Sequence, residues 1–197
     1  RSTPRTSPAA SDVYKRQHYN LGVLFQNLGR LDEAEASYRQ AIALTPDYAE
    51  AHNNLGLTLK ELGRLDEADA SYRQAIALKA GYAEAHNNLG VTLKELARFE
   101  EAEASYRQAI AIKPNLAEAH NNLGGTLQVL ERLDEAELSY RQAISLSPDL
   151  AEAHSNLADT LQELGRLDEA EASYRQAIAI KPHLAKTPNN LGNTLRE

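Results

Sequence analysis

The sequence predicts an all-α solenoid of antiparallel helix hairpins, and three observations predict it. A unit of 34 residues recurs along the chain, AEAHNNLGLTLKELGRLDEADASYRQAIALKAGY in its second copy. Each unit holds two runs whose apolar residues fall three and four apart, the spacing of one face of a helix. Glycine or its substitute separates the two runs, and proline follows most second runs, so each helix has a marked end. Self-similarity at such a period is the mark of stacked repeats that contact only their neighbours.

Residues 1–14 match the repeat poorly. Their Ser, Thr, Pro and Arg content cannot bury a core, so this tail is expected to be disordered or artefactual, with the first helix starting near Tyr14 to His18. The SDVYKRQ string also resembles translated adaptor sequence, and no function is assigned to it. Five units follow, 15–48, 49–82, 83–116, 117–150 and 151–184, and 185–197 reads as the first helix of a truncated sixth. There Pro188 takes the slot of the usual histidine, and Thr187-Pro188 reads as a cap and first helical residue. The chain starts with Arg1 and contains no methionine, so it reads as a fragment or a processed piece, and because the sixth copy lacks its second helix the native protein is expected to continue beyond Glu197.

Within the second unit, His52, Leu55, Leu59 and Leu62 share a face of the first helix, with small Gly56 beside Leu55. Leu65, Ala68, Tyr72, Ala75, Ile76 and Leu78 make the second amphipathic run. The short Gly63-Arg64 connection forces the two antiparallel. Asp32 with Glu35, Asp66 with Asp69, Asp134 with Glu137 and Asp168 with Glu171 have capping-box spacing. Asp47 with Glu50 and Asp149 with Glu152 repeat that spacing at the other helix start. A heptad coiled coil fails, because 34 is not a multiple of seven and the breaks recur too often.

The formal charge is −7, and the first 17 residues contribute +3, leaving −10 on the repeats. An acidic surface repels phosphate, which disfavours nucleic acid and anionic membranes as partners. The chain has no cysteine and no apolar run of membrane-spanning length. Carboxylates such as Asp66-Glu67 face no histidine or nucleophile in the sequence pattern, and no glycine-rich phosphate loop occurs, so no catalytic residue and no cofactor is expected. His18, His52, His86, His120 and His154 are a repeat apart, about 10 Å for stacked helices, whereas zinc takes ligands at about 2 Å. They fit packing slots and not a metal site.

The pattern Leu55-Gly56, Leu59, Ala68, Tyr72, Ala75 resembles the tetratricopeptide repeat over about nine-tenths of the chain. The family's tryptophan is replaced by the histidines above, its glycine by Ala158 in the fifth copy and its proline by Ala80 in the second. More narrowly, the HNNLG and LDEAEASYRQAI strings resemble the repeats of O-linked N-acetylglucosamine transferases and related bacterial multidomain proteins. That resemblance implies a right-handed superhelix whose concave wall is lined by first helices, with an asparagine ladder gripping the backbone of an extended peptide. The matching asparagines are Asn20, Asn54, Asn88, Asn122, Asn156 and Asn190.

Helical geometry agrees with the carry-over. Glu50, Asn53, Asn54, Leu57, Lys60 and Glu61 lie opposite the hairpin face, and a carboxamide can pair with both N–H and C=O of any peptide. Asn87, Asn121, Val91 and Lys94 take the same places in later copies. The alternative use of these asparagines is to bridge neighbouring repeats. The centre of the wall reads Val23, Leu57, Val91, then Gly125, Asp159, Asn193, an apolar half followed by a polar one. A flank of Glu50, Glu84, Glu118 and Glu152 argues against a clamp for a terminal carboxylate and for a neutral or cationic segment. The expected partner is a protein or peptide segment. The alternative is that this piece recruits substrate for a transferase domain lying beyond Glu197.

Overall fold

The computed structural model describes residues 8–182, so the expected sixth-copy helix at 185–197, with Asn190 and Asn193, lies outside the described residues. Among the described residues there are ten helices and no strand: α1 (Pro8–Asn27), α2 (Leu31–Leu44), α3 (Ala49–Glu61), α4 (Leu65–Leu78), α5 (Ala83–Glu95), α6 (Phe99–Ile112), α7 (Ala117–Val129), α8 (Leu133–Leu146), α9 (Ala151–Glu163) and α10 (Leu167–Ile180). α1 begins earlier than its sequence suggests, with Pro8 as its first residue, a position where the missing proline N–H costs nothing.

The chain divides into two compact units, residues 1–96 and 97–197. In the first, α1 packs on α2 and α3 on α4 as hairpins, α2 covers α3, and α4 covers α5. In the second, α7–α8 and α9–α10 are the hairpins, with α6 on α7 and α8 on α9. The odd-numbered helices are hereafter the A helices and the even-numbered ones the B helices.

Each hairpin closes on a tyrosine. Tyr38, Tyr72, Tyr140 and Tyr174 are at most 1% exposed. A Cβ added to Gly22, Gly56 or Gly124 would come within 3 Å of the ring of Tyr38, Tyr72 or Tyr140 respectively. Glycine therefore sets how closely the A helix approaches its partner. Around each ring sit fully buried alanines of the B helix, such as Ala68 and Ala75, and leucines of the A helix, such as Leu55 and Leu59.

The A helices end in a Schellman turn. Gly63 has φ +75°, its N–H reaches Lys60 O at 2.9 Å, and Arg64 N–H reaches Leu59 O at 2.9 Å. Gly29 and Gly165 repeat the positive φ, and Ala97 and Glu131 adopt it at 57° and 58° without glycine's freedom. The B helices stop two residues before the proline position, and α4 stops there too although Ala80 stands in place of proline. Proline is thus not what ends them.

The expected capping boxes do not form. The N-cap residues are Arg30, Arg64, Arg98, Arg132 and Arg166 on the B helices and Tyr48, Tyr82, Leu116 and Leu150 on the A helices, none with a side-chain cap bond. Asp32, Asp66, Asp134 and Asp168 lie inside the first turn, where their charge still favours the positive helix end. The capping arginines make ion pairs instead. Arg64 grips Glu67 of its own first turn at 2.7 Å and Glu35 of the preceding repeat at 2.6 Å, while Arg39 reaches Glu35 at 2.8 Å and Glu67 at 3.2 Å. The four side chains form a closed ring of alternating charge, and Glu103, Arg107, Arg132 and Glu135 repeat it in the second unit.

Candidate peptide-binding wall

The face of each A helix opposite the hairpin core carries the residues singled out in the sequence. In the first unit Asn54, Leu57 and Lys60 on α3 and Asn88, Val91 and Lys94 on α5 are half-buried, with Val23 half-buried and Asn20 exposed on α1. In the second unit Asn121, Asn122, Gly125, Asn156 and Asp159 are half-buried on α7 and α9. Asn53 and Asn87 are buried, at 6% and 7% exposure, and so lie beneath the surface.

These side chains are joined from one repeat to the next. Asn54 Nδ2 donates to the Tyr19 hydroxyl at 3.0 Å, Asn88 Nδ2 to Asn53 Oδ1 at 3.2 Å, and Asn156 Nδ2 to Asn121 Oδ1 at 3.1 Å. Asn53 Nδ2 in turn donates to Asn54 Oδ1 at 3.2 Å, which makes a continuous chain from Asn88 to Tyr19. Bridging between repeats, the alternative weighed in the sequence, is therefore one of the things these asparagines do. It uses one N–H of each donor. Oδ1 and the second N–H of Asn88 and Asn156 have no partner among the described residues.

A second set of links runs along the helix ends. Gln26 Nε2 meets Glu61 at 3.4 Å, Lys60 Nζ meets Glu95 at 3.5 Å, and Gln128 Nε2 meets Glu163 at 2.5 Å, each 35 residues apart. The glutamines also serve the core tyrosines: Tyr38 donates to Gln26 Oε1 at 3.0 Å and Tyr140 to Gln128 Oε1 at 3.3 Å. In the fifth copy Tyr174 donates to Asp159 and to Gln162, at 2.5 and 3.2 Å. Lys60 occupies the same slot in the second copy, and an ammonium has no lone pair to accept with. The Tyr72 hydroxyl is accordingly buried without a partner. Burial pushes the Tyr38 phenol up to about 12, against the Asn54 hydrogen bond, and pushes Tyr72 higher still.

The glutamate flank is not uniformly free. Lys79, whose ammonium also sits 4.5 Å from the centre of the Tyr82 ring, pairs with Glu50 at 2.9 Å and holds its carboxyl below the usual range. Glu118 and Glu152 are exposed. The histidines are half-buried, and Nε2 of His52, His120 and His154 lies 2.9 to 3.0 Å from the carbonyls of Pro46, Pro114 and Pro148. They tie each connecting loop to the A helix that follows. Among the described residues no three His, Asp or Glu side chains gather as a metal site, and no helix is long and apolar enough to cross a membrane.

Sequence reasoning missed a recurrent feature on the opposite side. Between α2 and α4 lies an open depression of about 390 Å³, floored by His52 and Leu55 and walled by Ile42, Ala43, Ala70 and Ser71. Equivalent depressions of about 380 and 400 Å³ lie in the second unit. Ile42 and Ile76 share a sequence slot between the buried tyrosine stripe and the exposed face, which is the only signal the sequence carries for them.

Comparison with known proteins agrees with the architecture. The family described as TPR repeat matches residues 27–63 and 58–96, and the tetratricopeptide repeat matches residues 83–116 and 115–183. The comparison with curated proteins returned no match. Among solved structures, TTC0263, a thermophilic TPR protein in Thermus thermophilus, is 27% identical with a TM-score of 0.73, over 93% of this chain and 100% of that one. MamA is 25% identical with a TM-score of 0.75, over 84% and 97%. YrrB, a TPR protein with an unusual peptide-binding site, is 23% identical with a TM-score of 0.71, over 87% and 89%. With matches running from residue 27 to residue 183 and hairpins closed by a glycine–tyrosine contact, the chain belongs to the tetratricopeptide-repeat family.

Proposed function

We infer that the protein is a binding scaffold whose A-helix walls hold an extended peptide segment through asparagine carboxamides. The observation that carries this is the half-satisfied state of Asn88 and Asn156. Each is oriented by one bond to the preceding repeat and keeps an acceptor and a donor for a ligand. A carboxamide fixed in this way loses little rotamer freedom on binding, which favours affinity. An extended chain advances about 3.3 Å per residue and successive hairpins about 10 Å, so the ladder meets a peptide about once every three residues. Contacts of this kind read backbone and tolerate many side chains.

Val23, Leu57 and Val91 make the wall of the first unit apolar, whereas Gly125 and Asp159 make that of the second unit polar. This difference assigns apolar side chains of the ligand to the first unit. The narrower resemblance to O-linked N-acetylglucosamine transferase repeats supports the same mode of gripping, and a related fold carries a peptide-binding site in YrrB. The test is selection of random peptides on the whole chain, followed by Leu57→Asp and Val91→Asp. Loss of capture at these variants, with helicity unchanged, is the expected result. Capture that is indifferent to both contradicts the assignment of the first unit.

A further inference from the structure

Lys94 stands apart from every other charged residue on the first unit's wall. Lys60, one repeat earlier, is paired with Glu95, and Glu50 is paired with Lys79. Lys94 is half-buried on α5 and makes no ion pair or hydrogen bond with any described residue. Within the first unit the link from this slot runs to the residue 35 positions on, Glu61 for Gln26 and Glu95 for Lys60. Burial without a counter-ion holds the Lys94 ammonium below the ordinary lysine value, so the charge is poorly solvated.

At Lys60, lysine in this slot carries a local cost: glutamine there accepts a hydrogen bond from the core tyrosine, and with Lys60 in its place the Tyr72 hydroxyl is left buried and unpaired. Beside Lys94 one turn back is apolar Val91, with Leu57 in the matching place on α3.

We propose that Lys94 receives an acidic side chain, Asp or Glu, of the bound segment, next to an apolar side chain resting on Leu57 and Val91. This rests on the peptide-binding reading above and specifies the ligand's chemistry at one point. At this one point it departs from the expectation of a neutral or cationic ligand, and Lys79 pairs with Glu50 on the flank of the same unit. A partly desolvated ammonium gains more from a carboxylate than an exposed one does.

The test is a random 12-residue library displayed on phage at the coat protein's N-terminus, where the peptides have no free carboxyl terminus, selected on the whole chain. The expected result is enrichment of Asp or Glu beside an apolar residue. Amidated synthetic copies of the selected peptides should bind about tenfold more weakly to Lys94→Gln and normally to Lys94→Arg, with unchanged circular dichroism. Glutamine is native to this slot at positions 26, 128 and 162, so the variant is compatible with the repeat. Enriched peptides without acidic residues, or equal affinity for Lys94→Gln, overturn the role of Lys94 and leave peptide binding standing. No enrichment over the bare support overturns peptide binding, and this inference with it.

Discussion

Asn88 donates from Nδ2 to Oδ1 of Asn53 at 3.2 Å, and that bond ties α5 to α3. Asn53 is buried and passes the chain on to Asn54. Removing its carboxamide strands the donor of Asn88 and the acceptor of Asn54. Asn53→Ala should therefore destabilise the chain by about 1 to 2 kcal/mol, read as a lowered midpoint in urea. An unchanged midpoint would mean that water replaces the link at no cost.

The orphan hydroxyl of Tyr72 gives a prediction of opposite sign. Lys60→Gln restores the acceptor that Tyr38 and Tyr140 find in Gln26 and Gln128, and keeps a donor for Glu95. It should stabilise the chain by about 1 kcal/mol, or raise the melting temperature by about 2 to 4 °C.

Glu131 occupies the left-handed position that closes α7, at φ 58°, where Gly63 and Gly165 close α3 and α9. A side chain in that region costs about 1 kcal/mol relative to glycine. Glu131→Gly should accordingly raise the melting temperature, and a drop would show that the side chain makes a compensating contact.

Acid should loosen the B-helix ion-pair rings. Hydrogen bonds from Arg64 hold Glu67 below the usual carboxylate value; at Glu35 burial opposes ionisation, but the bonds from Arg39 and Arg64 outweigh it. A carboxyl whose folded pKa is depressed contributes stability that is present above its unfolded value and lost as pH falls through the folded one. Thermal stability should hold from pH 7 to about 5 and fall below about 4.5, and high salt should flatten the profile. The pairs are partly exposed, so the effect per ring is small and its repetition is what makes it measurable.

The hairpins were legible because they depend on contacts within one repeat. The three- and four-residue spacing of Leu55, Leu59, Ala68, Tyr72 and Ala75 specifies a buried face whatever its neighbours do. The links between repeats were not. That Asn88 meets Asn53, or that Lys60 meets Glu95, depends on the rotation between successive hairpins, which the spacing inside one unit does not encode. Capping failed for a similar reason: Asp66 has box spacing from Asp69, but the cap falls two residues earlier, at Arg64, which turns to Glu35 of another repeat. The change between Gln at positions 26, 128 and 162 and Lys at positions 60 and 94 was visible in the sequence. Its meaning became visible only with the tyrosine hydroxyl beneath it.

The most direct test of the peptide-gripping wall is the affinity of a library-selected peptide for Asn54→Ala/Asn88→Ala in the first unit and Asn156→Ala in the second, measured well below each variant's melting point. A ladder that grips backbone predicts a loss of about tenfold or more in each variant with helicity retained, beyond whatever the variants lose in melting temperature. Lower melting temperatures with unchanged peptide affinity would show that the asparagines only bind repeat to repeat, and would contradict the account.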